Sequence, residues 1–190
     1  MSNWKKHLKA ATVLSMLLLG MTVAASAQKN SNVSNITMSA NLSESVSVSL
    51  SGSSVNFTLT SGSASNPGNT TISATTSWVL QPGRTGVKLL AYFDSSTIAL
   101  AHTDPANTSD IPSSAVELGV NGGALTSVSS TVAFGAANAG LQLFSQSITG
   151  TNKNSSRTDT LSFNINLGSL AQLPSDTYNG TLHIQAQATP

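Results

Sequence analysis

The sequence predicts an all-β protein, an immunoglobulin-like (pilin-like) antiparallel β-sandwich following a cleaved signal peptide. Three observations lead there. Beyond residue 28, apolar residues recur at every second position in one segment after another, and no stretch sustains a 3.6-residue period. Gly, Pro and Asn clusters punctuate these segments. Only 8% of residues are charged and none is cysteine. Ser, Thr, Val and Leu fill the chain instead, a composition that favours strands. About ten short strands separated by turns make a sandwich or barrel, not a parallel α/β fold.

The first 27 residues are read as a leader. "MSNWKKHLK" carries Lys5, Lys6 and Lys9, "AATVLSMLLLGMTVA" is apolar, and "ASA" at 25–27 offers a small-residue cleavage site before Gln28. The apolar stretch is short of the ~20 residues that span a bilayer. The expected organisation is therefore a signal peptide at 1–27, an N-terminal strand segment at 28–44 and a sandwich domain at 45–190, with no stable membrane insertion after cleavage. With no cysteine, the fold must rest on packing and backbone pairing, without disulfides.

The run "NITMSANLSESVSVSLSG" (35–52) places Ile36, Met38, Ala40 and Leu42, then Val46, Val48 and Leu50, on one face. Glu44 interrupts that row. Burying an unpaired carboxylate costs several kcal/mol, so a bend at Ser43–Ser45 divides the run. "SVSVSLSG" becomes the first strand of the domain and "NITMSANL" a separable strand. That separable strand either completes its own sandwich or enters a neighbour's.

Further along, "VNFTLT" alternates on Val55, Phe57 and Leu59 and predicts a strand. "TTISATTSWVLQ" alternates on Ile72, Ala74, Thr76, Trp78 and Leu80, and "QPGR" (81–84) is a turn. "GVKLLAYFD" is apolar on both phases, as a strand covered on both faces would be. "SSTIALA" fits a short strand or a helical turn, and "HTDPANTSDIPSS" (102–114) a loop. "AVELGVNGGALTSVS" reads as a hairpin with Asn121, Gly122 and Gly123 at its tip. "TVAF" and "LQLFSQSI" read as strands, and "TGTNKNSSRT" (149–158) as an exposed loop. "DTLSFNINL" alternates on Leu161, Phe163, Ile165 and Leu167. "TYNGTLHIQAQAT" closes the chain with Tyr178, Gly180, Leu182, Ile184, Ala186 and Ala188 on one face.

Chemistry is sparse. Beyond the leader, five basic residues (Lys29, Arg84, Lys88, Lys153, Arg157) face seven acidic ones, with no basic stripe. Phosphate binding needs clustered Lys or Arg, so nucleic acid is not expected as a partner. His102 and His183 stand alone, without the three or four close ligands that zinc requires. No G-x-S-x-G, G-x-G-x-x-G or phosphate-loop motif occurs. Asp104, Asn107 and Asp110 could offer oxygens to calcium, but their spacing is not that of an EF-hand and both residue types are ordinary turn formers. The expectation is a non-catalytic protein without a cofactor. An extracellular carbohydrate-binding or adhesive module is the alternative, with Trp78 and Tyr92 as its ligand aromatics; Trp78, however, shares its face with Ile72, Ala74 and Leu80, which favours the core.

Both terminal strands alternate and lack Lys and Pro, the residues that usually blunt a sheet edge. "KNSNVSNITMSANLSESVSVSLSG" resembles the mature N-terminus of alpha-type (alternate chaperone-usher) fimbrial major subunits. "LPSDTYNGTLHIQAQA" resembles the C-terminal strand of those pilins and equally that of spore-coat-protein-U-like secreted pilin domains. The resemblance implies an incomplete immunoglobulin-like sandwich that receives a donor strand from the next subunit. It makes Ile36, Met38, Ala40 and Leu42 the donor positions and places Tyr178, Leu182 and Ile184 on the terminal strand beside the acceptor groove. It further implies other copies or a related subunit as partners, a periplasmic chaperone and an outer-membrane usher. The protein would pass through the periplasm to the cell surface or the extracellular medium.

Overall fold

In the computed structural model, residues 29–190 are described; the expected signal peptide at 1–27 lies outside them. The chain divides into two units, the second being Asn41–Pro190. Residues 29–43 belong to no strand.

The second unit is an all-β antiparallel sandwich. β1 (Ser45–Leu50), β2 (Ile72–Val79), β8 (Asn154–Ile165), β5 (Val116–Val120) and β6 (Thr126–Ser127) form one sheet in the order β1-β2-β8-β5-β6. β10 (His183–Thr189), β3 (Gly86–Tyr92) and β7 (Gly140–Ser147) form the second, in the order β10-β3-β7. A small pair joins β4 (Ala101–His102) to β9 (Tyr178–Asn179). β1 and β10 are thus edge strands of their sheets.

Period-two patterning explains the layers. In β2 every even residue is buried, so Ile72, Ala74, Thr76 and Trp78 face the core. Ala74 and Trp78 share one core cluster with Val87, Leu89 and Ala91 of β3 and Phe144 of β7. Odd residues of β2 face outward and line up with hydroxyls on both neighbours: Ser77 lies between Ser47 and Ser156, and Thr75 between Ser49 and Thr158. Thr75 Oγ1 and Thr158 Oγ1 hydrogen-bond at 2.8 Å. This uncharged hydroxyl face accounts for much of the Ser/Thr-rich sequence: the outer side of β1, β2 and the first half of β8 is wet without being charged. β7 bulges at Leu143, opposite Leu89 and Leu90 of β3, and shifts the register between the two strands. Leu89, Leu90 and Ala91 are all buried, the observed form of the two-phase apolar pattern of β3.

Both sequence-predicted turns are present. Arg84 N–H donates to the Gln81 carbonyl across Pro82–Gly83. Asn121 and Gly122 have φ of 53° and 74°, the left-handed pair that a tight hairpin requires.

Four expectations need correction. Residues 149–158 are not all loop, because β8 begins at Asn154, where β2 supplies a full ladder of partners. "TVAF" joins no strand; it packs over β3 and β7 instead, with Phe134 tilted against Tyr92 at 5.9 Å. The terminal run is two strands, β9 and β10, interrupted at Gly180–Leu182. A Cβ at Gly180 would collide with the Ala99 carbonyl and sit 3.1 Å from the Leu100 Cα, so the backbones touch there and the ladder breaks. Finally, "VNFTLT" forms no strand and makes only the isolated bridge Phe57–Gly68.

Candidate functional site

That last departure creates the site. Residues 53–59 alternate as a strand would: Val55, Phe57 and Leu59 are half-buried while Asn56, Thr58 and Thr60 are exposed. One side of the segment is tied to the following loop. Asn69 N–H donates to the Asn56 carbonyl, and Asn56 N–H donates to the Asn69 side chain, both at 2.9 Å. The other side faces a cleft of about 660 Å³. Its opposite wall is the broken terminal run from Asp176 to Ile184, and Ile72, Leu161, Phe163 and Ile165 are among the residues of its floor. An extended segment therefore lies on each side of an opening into the core.

Tyr178, Leu182 and Ile184 all line this cleft. Leu182 and Ile184 pack against the main core, and Tyr178 against a second cluster built on Ile111, Ala115, Ile165 and Leu167. Phe57 and Leu59 join that second cluster from the opposite wall. The wall residues 53–59 escape sequence reasoning because their alternation is that of any strand; only the sheet order reveals that no strand pairs them.

The four expected donor residues share one condition: all are exposed. Ile36, Met38 and Leu42 each show between 80 and 90% of their surface. Single exposed apolar residues are ordinary, but an uninterrupted alternating row of them is not.

A polar network closes one end of the cleft. The Asp176 carboxylate accepts from Thr103 Oγ1 (2.8 Å), Asn107 Nδ2 (2.9 Å), and the backbone N–H groups of Asp104 (3.1 Å) and Thr177 (2.6 Å). Asn107 Nδ2 also donates to Tyr178 Oη at 3.0 Å, and that hydroxyl donates to the Pro174 carbonyl at 2.7 Å. The Asn107 amide first, then the surrounding backbone and hydroxyl donors, hold the Asp176 carboxyl far below the usual aspartate range. A depressed folded-state pKa stabilises above the unfolded value and loses that contribution as pH falls through the folded one. Asp176→Asn should therefore lower the melting temperature at neutral pH. The gap to the unsubstituted chain should narrow only once pH drops below about 4, the ordinary aspartate value. Thermal melts from pH 7 to pH 2 check this; a gap that closes by pH 6 would refute it.

The oxygens considered for calcium are committed elsewhere. Asp110 accepts from the His102 backbone N–H at 3.0 Å and lies 2.7 Å from His102 Nδ1. Asp104 Oδ1 accepts from Ala106 N–H and Asn107 Oδ1 from Ser109 N–H, the usual work of turn residues. Among the described residues, no group of three or more His, Asp or Glu is placed to hold a metal ion.

Both aromatics of the carbohydrate alternative are engaged by the protein itself. Trp78 is 3% exposed, and its indole N–H donates to the Asn152 carbonyl at 2.8 Å. Tyr92 stacks on His183 at 5.1 Å, and Gly135 approaches its ring so closely that a Cβ there would collide with it. Sugar stacking needs an open face; Trp78 has none, and the Tyr92 hydroxyl is bonded to Gln185 at 2.9 Å.

Among the described residues, no helix is long and apolar enough to cross a membrane. Compared with known proteins, the chain matches no family model, no curated protein and no solved structure.

Proposed function

We propose that this chain is a secreted structural subunit that assembles by strand addition, without catalysis. The segment Ile36–Leu42 of one copy enters the cleft of the next. The supporting observation is one pairing of features: an exposed apolar row, and an apolar cleft walled by two extended segments. Ile36–Leu42 and Ser53–Leu59 are each seven residues long, about 23 Å when extended. Ile36, Met38, Ala40 and Leu42 would face the floor, and Thr37, Ser39 and Asn41 the solvent. The inserted backbone would gain partners on both walls, and alternate side chains would give the register.

A second copy fits better than self-filling. A reversal at Ser43–Ser45 would put Leu42 beside Val46 and Ile36 beside Gly52, short of the wall at 53–59. Head-to-tail insertion does not close on itself and gives a filament. A chaperone that shields the cleft and an usher that orders the exchange would be the accessory partners, with the cell surface as destination.

The test is a charged donor row. Ile36→Asp with Met38→Asp in the full chain should abolish assemblies larger than the monomer, as measured by light scattering and negative-stain images. The same chain should melt as the unassembled monomer does, because both residues lie outside the core, while assembled unsubstituted chains should melt higher. Filaments that persist in the double variant would sink the proposal.

A further inference from the structure

Glu44 does more than interrupt an apolar row. It lies where β1 begins, in phase with the inward-facing Val46 and Val48. Arg84, from the turn between β2 and β3, grips it with two parallel bonds: Nε to Oε1 at 2.8 Å and Nη2 to Oε2 at 3.0 Å. The Gln81 backbone N–H also points at Oε1, at 3.4 Å. The turn that presents Arg84 is itself braced. Lys153 Nζ donates to the carbonyls of Pro82 (2.9 Å), Arg84 (3.3 Å) and Gln81 (3.4 Å), while Leu80 N–H donates to the Lys153 carbonyl at 2.8 Å. The β2–β3 and β7–β8 connections thus act together on one carboxylate. A bidentate guanidinium–carboxylate contact fixes orientation as well as distance.

Resting on the strand-addition reading, we infer that the Glu44–Arg84 clamp sets the angle between successive subunits. The donated row ends at Leu42 and the clamp holds Glu44, so Ser43 alone joins them. Two Cα–Cα steps span at most about 7.6 Å. The mouth of the neighbour's cleft must therefore abut the end of the sandwich that carries Gln81–Arg84 and Lys153. With Glu44 pinned, the donated strand leaves in a set direction and phase. With Glu44 released, the link becomes a two-residue pivot, Ser43 and Glu44, before β1 begins at Ser45. Arg84 and Lys153 are accordingly positioning residues, and this end of the domain is a contact surface for a second copy.

The experiment uses the full chain and reads filament persistence length from negative-stain images. Glu44→Ala should still form filaments, because the donor row and cleft are intact, but with a severalfold shorter persistence length. The reversed pair, Glu44→Arg with Arg84→Glu, should recover stiffness; a general loss of stability would not predict that recovery. Inserting Gly-Ser-Gly between Ser43 and Glu44 leaves the ion pair in place and should loosen the filament equally. If Glu44→Ala filaments are as stiff as unsubstituted ones, even where the insertion loosens them, the clamp has no such role. If the unsubstituted chain forms no filaments at all, the strand-addition reading falls and takes the clamp's role with it.

Discussion

Trp78→Ala is expected to destabilise the sandwich by about 3–5 kcal/mol, the range for emptying a buried aromatic site. The ring lies on the inward face of β2 within the main core, beside Ala74 and Leu80. Its loss also strands the Asn152 carbonyl, which receives the indole N–H. Asn152 belongs to the β7–β8 connection that carries Lys153, so the damage should reach the turn beneath Arg84. Urea unfolding with unchanged slope and a lower midpoint is the expected outcome. A loss below about 1 kcal/mol would mean that the ring is not packed as described, since ordinary surface substitutions stay within about half of that. Any glycan affinity should be untouched at temperatures where the variant is folded.

Arg157→Ala should cost about 3 kcal/mol, the lower end of the range for breaking a buried pair. Asp159 is 1% exposed and faces the core from the middle of β8. Arg157 holds it through Nε (2.8 and 3.0 Å) and Nη2 (2.8 Å), and Asn121 Nδ2 donates at 2.6 Å. Without the guanidinium, the carboxylate keeps one amide and no countercharge. The lower figure reflects the arginine side chain, which is about a third exposed, so water can occupy part of the vacated space. The guanidinium also lies 4.5 Å from the centre of the Phe144 ring, a cation–π contact that bridges the two sheets. Replacing both partners together, Arg157→Met with Asp159→Leu, should recover most of the loss, because no charge is then left buried. Equilibrium denaturation of the single and double variants decides the matter; a double variant no better than Arg157→Ala would contradict it.

These two residues show where reading the chain stops. Arg157 and Asp159 occupy the same odd row as Leu161 and Ile165, and the row runs inward without interruption. In sequence Arg157 looks like the tail of an exposed loop and Asp159 like the polar start of the alternating run after it, because polar residues at strand phase carry no sign of burial. Their burial depends on Thr76 and Ala74 pairing beside them, some eighty positions earlier. The Glu44–Arg84 clamp is hidden for the same reason. A lone carboxylate in an apolar row announces a break, but the guanidinium that receives it is forty residues away.

What the amino-acid sequence by itself determined is everything local: the two-residue period, the inward row of β2 and that of β8 from Leu161 onward, the turns at Gln81–Arg84 and Asn121–Gly122, and the alternating apolar row Ile36, Met38, Ala40 and Leu42. Side-chain alternation and left-handed turn residues are set within a few positions, so they can be read in order along the chain. Tertiary structure alone decided which alternating segments become strands. Val55–Leu59 has the pattern of a strand and lacks a partner on one side, whereas Asn154–Thr158 has a weaker pattern and gains a full ladder against β2. A strand is completed by hydrogen bonds to another segment, so its existence belongs to the sheet and not to its own residues. The cleft is the place where that completion is missing.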